Sequence, residues 1–286
     1  MVKKEQRMVL TTPVEAAYRA IGVVIMVLIA VISLFPFIWA LISSFKTNQQ
    51  ILSSAFSMPT SLDFAGYAVA IKIANIPNRF MNSVIISTVS TAVSVILYAM
   101  SSYAFARFNF KGKGALFGLL ICSLLIPTNA MIQPVFATIR FAGLYDTRTA
   151  LVLVYIAFRM PMCLFILRSY FLGLPREIEE AAYVEGAGFF RTFTAIVLPM
   201  SKPALASAAV LSFIDSWNEL LYAMMLTSRE AIRTLPLAMK HFVSQFSFNY
   251  TAMFAAMVMC MLPTVVMYIL LQEQIMESMV AGSLKG

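Results

Sequence analysis

The fold class predicted by this sequence is all-α: a polytopic membrane protein with six transmembrane helices. Two observations carry that reading. Hydrophobic residues make up 60% of the 286 and charged residues only 12%, with a mean hydropathy of +0.84, whereas a soluble domain carries about 25% charged residues. The apolar residues also fall in six blocks long enough to cross a bilayer, which takes about 20 residues at about 1.5 Å of rise each. Backbone groups find no water in lipid, so such blocks must be helices that close their own hydrogen bonds. The chain reads as a single membrane domain, residues 1–286.

The spans are predicted at 20–45, 82–106, 115–139, 150–171, 204–226 and 252–272. The first follows Lys3, Lys4 and Arg7, as a signal peptide would. Its apolar run is too long for one and lacks a small-residue cleavage site, so it reads as a retained helix. Residues 46–81 offer no comparable signal. Six crossings place both termini on one side. The amino tail, the 107–114 loop, the 168–203 loop and the carboxyl tail together carry more Lys and Arg than the opposite loops. The excess of basic residues in cytoplasmic loops of membrane proteins therefore puts both termini and the long 168–203 loop in the cytoplasm.

A net charge of +8 raises the question of nucleic acid. The basic residues stand at block ends, where they flank spans and meet lipid phosphates, so membrane lipid is the expected partner and nucleic acid is not. Cys122, Cys163 and Cys260 all lie inside apolar blocks and read as packing residues, with no disulfide framework and no metal site. His241 is the single histidine, which excludes paired-histidine zinc chemistry and a Ser-His-Asp triad, and it reads as a solvated loop residue. The run NFKGKGAL lacks the first glycine and the hydroxyl residue of a phosphate-binding loop. The chain is therefore expected to be no enzyme, to hydrolyse no ATP by itself and to use no cofactor.

The most informative loop lies between the fourth and fifth blocks. Pro175 suits the first turn of a helix, and Glu177, Glu179 and Glu180 favour the positive end of its dipole. Ile178, Ala181 and Ala182 share one small apolar face. Gly186 and Gly188 allow a change of direction. A second short helix then places Phe190, Phe193 and Val197 on one stripe, with Pro199 ending it. The unit reads as a helical hairpin with an acidic start and an aromatic second half, the shape of a knob for a groove on a partner.

The same stretch, EAAYVEGAGFFRTFTAIVLP from Glu180 to Pro199, resembles the EAA motif of permeases in binding-protein-dependent ABC importers. Glu180, Ala181, Ala182, Gly186, Ile196, Leu198 and Pro199 stand at the signature offsets. Glu185 replaces the aspartate usual before the glycine. ILRSYFLGLPREIEEAA resembles the approach to the motif in carbohydrate-uptake permeases, DSWNELL carries their Trp-Asn-Glu, and the tail AGSLKG resembles the end of a maltose-type permease. The similarity covers most of the chain after Phe80.

The resemblance implies the six-helix type I importer permease fold, located in the cytoplasmic or inner membrane, with a cytoplasmic coupling loop at about 172–203. It implies a heterodimer with a second permease, two cytoplasmic ATPase subunits and an extracellular substrate-binding protein. Glu180, Ala181, Ala182, Gly186, Phe190, Phe193, Leu198 and Pro199 would couple to the ATPases, with Glu180 meeting a basic residue there and Gly186 as the pivot. The substrate it implies is a sugar or oligosaccharide. Glycerol-phosphate and polyamine importers remain alternatives, and so does a secondary transporter, although no clear repeat supports one.

Ionisable residues inside spans are costly unless paired or wetted. Arg159 sits mid-block in the fourth span, and Asp215 and Glu219 lie one turn apart in the fifth with Asn218 beside them. Arg159 is predicted to pair with one of the two acids, either as a buried pair or as part of the pathway. Trp217 and Tyr222, on the helix that carries the acids, are the aromatics expected to line a cavity. The 20 methionines are read as packing.

Overall fold

The computed structural model describes residues 13–242 and 249–283. Among the described residues, four helices are long and apolar enough to span a membrane, and counting each of two bent helix pairs as one span gives six. In chain order the elements are α1 (Pro13–Ser43), α2 (Asn48–Ser53), α3 (Ala65–Ile73), α4 (Ile76–Arg107), α5 (Lys113–Cys122), α6 (Ile132–Phe141), α7 (Arg148–Gly173), α8 (Arg176–Val184), α9 (Phe189–Thr192), α10 (Leu198–Met200), α11 (Lys202–Asn218), α12 (Leu221–Leu226) and α13 (Tyr250–Ser283). α1 is almost wholly exposed along its apolar length. Of the 281–286 tail, the backbone through Ser283 continues α13, and the last three residues lie outside the described ones.

α4 is the central strut, packed mainly on α7 and α11. Its sequence explains the close approach: Ser83, Ser87, Ser90, Ser94, Ala99, Ser102 and Ala106 are buried, and α11 answers with Ala204, Ser207, Ala208, Ser212 and Ser216. Helix association in lipid depends on such small residues, because apolar tails supply no hydrophobic drive between helices. Ser90 Oγ donates to Ser216 Oγ at 3.2 Å, and Ser216 Oγ donates to the Ser212 carbonyl at 2.7 Å. Gly66 lets α3 touch α13: a Cβ there would lie 2.9 Å from the Thr251 carbonyl oxygen.

Two predicted spans are not straight. The third bends by 99° between Leu125 and Thr128. Pro127 has no N–H and forces Ile126 into an extended conformation (φ −85°, ψ 117°), so the helix cannot pass through. The fifth stops at Asn218, where Glu219 is extended (φ −69°, ψ 125°), and restarts as α12. No proline or glycine breaks it. The Glu219 carboxylate instead accepts the Tyr222 and Ala223 N–H groups at 2.7 and 2.9 Å, which caps the new helix as an N-terminal side-chain acceptor does. The second and sixth spans exceed their predicted limits, and α3 is a helix that residues 46–81 gave no signal for.

At the end of the bundle remote from the hairpin, the 226–242 segment is pinned to α4 by polar contacts. Arg79, 1% exposed, pairs with Glu230, which also pairs with Arg233. Asn82 Nδ2 donates to the carbonyls of Ala231 and Arg233. His241 is exposed as expected, but its Nε2 lies 2.6 Å from Arg79 Nη2. Partial desolvation and the Arg79 charge hold the His241 imidazole below its ordinary pKa. Asp146, at φ 61°, accepts the Ser228 and Arg229 N–H groups and pairs with the Arg229 guanidinium at 2.7 Å. Desolvation pushes that carboxyl up, but these hydrogen bonds and the Arg229 charge outweigh it and hold it below the usual range.

Candidate functional site

Two sites stand out, one at each end of the chain of contacts that runs through α4 and α11. The first is the hairpin formed by α8, α9 and α10. α8 carries Glu177 and Glu179 in its first turn and ends in a Schellman motif. Gly186, at φ +83°, donates to the Tyr183 carbonyl at 3.0 Å, and Ala187 N donates to the Ala182 carbonyl at 2.9 Å. Gly186 is thus the turn residue of the hairpin, since a Cβ resists positive φ. Gly188 contributes no such freedom; it is extended (φ −73°, ψ 167°), a conformation open to any residue.

The second half of the hairpin departs from a plain helix ended by Pro199. After α9 the turn widens into a π-helical stretch from Phe193 to Val197, and the chain stays helical through Pro199 to Met200 before bending 78° into α11. A proline ring meets the carbonyl four residues back in a regular helix, and the wider turn relieves that clash. The predicted aromatic stripe is split. Phe193 and Val197 are buried inward, whereas Phe190 is 72% exposed. Glu180, Ala181, Glu185 and Pro199 are exposed, Leu198 is half-buried and Ala182 is buried. A cavity of about 390 Å³ opens between the two helices, lined by Ile178, Ala181, Ala182, Glu185, Ala187, Arg191, Ala195 and Ile196.

The hairpin is held to the bundle by groups that sequence reasoning passed over. Glu179 is 8% exposed; Tyr103 Oη donates to its Oε2 at 2.6 Å and Arg107 Nε to its Oε1 at 2.7 Å. Arg107 Nη2 also donates to the Leu174 carbonyl at 2.9 Å. The Tyr103 ring lies among Phe171, Phe189 and Phe193, with centroids 4.9 to 5.8 Å away. The one available signal was the pairing of Tyr103 with Arg107, a turn apart at the basic end of a span.

The second site is a cavity of about 820 Å³ between α7, the bent α5 and α6 pair, and the α11 to α12 break. Its size falls in the range of small-molecule sites, about 300–1,000 Å³. Arg159 forms its ion pair with Asp215 and not with Glu219. The pair is not buried: the side chains are 33% and 41% exposed and line the cavity. Glu219 is engaged elsewhere, capping α12 and accepting the Tyr155 hydroxyl at 2.9 Å. Asn218 and Tyr222 line the cavity as well, and Tyr222 Oη donates to the Thr128 carbonyl at 2.6 Å, which ties the two helix breaks together.

Trp217 is placed elsewhere. It is buried on another face of α11, stacked on Phe213 at 5.7 Å and edge-on to Phe80 at 5.6 Å, with Nε1 donating to the Cys260 carbonyl at 3.2 Å. Asn218 lines the cavity, whereas the packing of Trp217 on Phe80, Phe213 and the Cys260 carbonyl holds its ring on the face turned away. Tyr155, Phe158 and Asn129 complete a wall of aromatic and polar groups that the sequence alone did not single out. Pro127, which creates the open segment around Asn129, was the legible clue.

The comparisons agree with this geometry. Residues 95–279 match the family model described as "Binding-protein-dependent transport system inner membrane component". The chain is 35% identical over 273 residues to the diacetylchitobiose uptake system permease protein NgcG of Streptomyces coelicolor, covering 95% of this chain and 90% of the relative. It is 33% identical to the trehalose/maltose transport system permease protein MalG of Thermococcus litoralis, covering 95% and 99%. In fold, it superposes with a TM-score of 0.81 and 21% identity on a chain of a bacterial ABC transporter involved in the import of the acidic polysaccharide alginate, covering 92% of this chain and 98% of that one. The interrupted helices around a cavity, which a secondary transporter would also show, are therefore those of an ABC importer permease. The chain belongs to the family of inner membrane components of binding-protein-dependent transport systems.

Proposed function

We propose that this chain forms half of the translocation pathway of a sugar or oligosaccharide importer and that its hairpin is the grip of the ATPase subunits. The observation that carries the coupling role is the two-sidedness of the hairpin. Phe193, Val197 and Glu179 are turned into the bundle, while Glu180, Phe190 and Glu185 are left on the surface. An anchored hairpin with a glutamate and a bare phenylalanine outside has the chemistry of a protein-docking knob, because charge-assisted contacts and aromatic anchors dominate such interfaces.

A second permease would close the cavity on the side left open by the exposed 123–130 segment. A binding protein would deliver substrate from outside, and both termini would lie in the cytoplasm. Nucleotide binding would draw two hairpins together and switch the cavity by rigid-body motion. The named relatives that take up diacetylchitobiose and trehalose or maltose support a sugar, as do the tyrosines and polar groups of the lining.

The test is purification of the complex in mild detergent, followed by mass spectrometry of its partners. An ATPase, a second permease and a binding protein are expected. Glu180→Lys should lose the ATPase while inserting normally. Retention of the ATPase by that variant, with normal uptake, would refute the assignment of Glu180.

A further inference from the structure

We propose that Glu179, together with Arg107 and Tyr103, is the positioning device that locks the hairpin to α4 and so carries movement of the hairpin into the cavity wall. The proposal rests on the ATPase docking argued above, but it concerns a residue on the opposite side of the hairpin from the docking surface. Neighbouring residues of a helix point about 100° apart. Glu180 accordingly faces outward while Glu179 is sealed against the bundle.

The geometry makes this contact stiffer than packing alone. One guanidinium spans the Glu179 carboxylate and the Leu174 carbonyl at the end of α7, so α4, α7 and α8 meet at a single point. Tyr103 adds a second donor from α4, one turn away. Charge-assisted hydrogen bonds shielded from water are directional and strong. The ring contacts of Tyr103 with Phe189 and Phe193 on the hairpin lack that directionality and would permit sliding. Motion passed to α4 has no hinge in which to dissipate, because α4 contains no glycine and its one proline, Pro77, lies in the first turn. Farther along, Ser90 of α4 is hydrogen-bonded to Ser216, the neighbour of Asp215 in the cavity wall.

The test uses the complete complex with its ATPase subunits, in a background of Cys122→Ala, Cys163→Ala and Cys260→Ala. Asn218→Cys in that background reports on the cavity through its rate of labelling by a membrane-impermeant maleimide. The rate is compared between the nucleotide-free complex and the complex trapped with ATP and orthovanadate. In the parent, trapping should change the rate.

Arg107→Lys keeps the charge but cannot span both acceptors, and Glu179→Gln removes the ion pair. Either change should shrink the trapping response by about tenfold, the equilibrium effect of losing one charge-assisted hydrogen bond, while ATPase subunits stay bound. Tyr103→Phe should give an intermediate response. A parent-sized response in Arg107→Lys and Glu179→Gln would overturn the proposal. So would a loss of response that merely parallels loss of ATPase or of thermal stability, since that marks a structural contact. A parent complex that holds no ATPase would instead refute the docking reading, and the clamp with it.

Discussion

Removing Arg159 should expose whether the ion pair in the cavity wall serves stability or transport. Arg159→Met leaves Asp215 facing the cavity without its partner. Breaking a fully buried pair costs about 3–5 kcal/mol, and breaking an exposed one about 0–1 kcal/mol. With the side chains 33% and 41% exposed, water shares the compensation, and the loss should be about 1–2 kcal/mol. For a chain of this size that is a shift of several degrees in thermal midpoint, at about 2–4 °C per kcal/mol.

Asp215→Leu should cost a similar amount, and the double variant should recover most of the loss. Glu219→Leu tests the specificity of the pairing. It forfeits the Tyr222 N–H, Ala223 N–H and Tyr155 hydroxyl contacts and should cost about 2–4 kcal/mol by itself. Combined with Arg159→Met, it should give additive losses, because the two groups have separate partners. The assays are thermal unfolding in detergent and uptake, in vesicles, of the sugar retained by the associated binding protein. A pathway role requires that the Arg159→Met, Asp215→Leu double recover stability without uptake. Recovery of both would refute that role, and additive losses in this double would show that the two side chains do not interact.

Gly186→Val places a β-branched residue at φ +83° with open space around the new Cβ, so backbone strain of about 1–3 kcal/mol should unwind the turn and release the ATPase on purification; retention would show that the turn tolerates it. Trp217→Ala should lower stability by about 3–5 kcal/mol, because a fully buried ring and its bond to the Cys260 carbonyl are lost. A small change in thermal midpoint would contradict that burial. The His241 pKa is depressed, so the folded chain binds fewer protons than the unfolded one; its contribution should be complete above about pH 6.5 and lost as pH falls through the lower folded value. Thermal midpoints measured across pH 5–8 should show that loss in the parent and not in His241→Gln, and identical profiles would refute the depression of the His241 pKa by desolvation and Arg79.

The sequence by itself determined the class of the molecule. Bilayer thickness sets the length of an apolar block, so six blocks were countable without coordinates, and the offsets from Glu180 to Pro199 marked the hairpin because its turn requires a glycine at positive φ. Pairing of Arg159 with an acid was legible from the cost of an isolated charge in lipid. Only the tertiary structure decided which acid, because that choice depends on the helix stopping at Asn218, and the break is made by a side chain reaching forward to cap a new helix, not by a residue with a backbone constraint of its own. It also decided that Trp217 packs away from the cavity and that Glu179 faces inward while Glu180 faces out. Spacing along a helix tells which residues share a face; what that face meets is settled by the elements packed against it, here Phe80 and Phe213 for Trp217, and Tyr103 and Arg107 for Glu179.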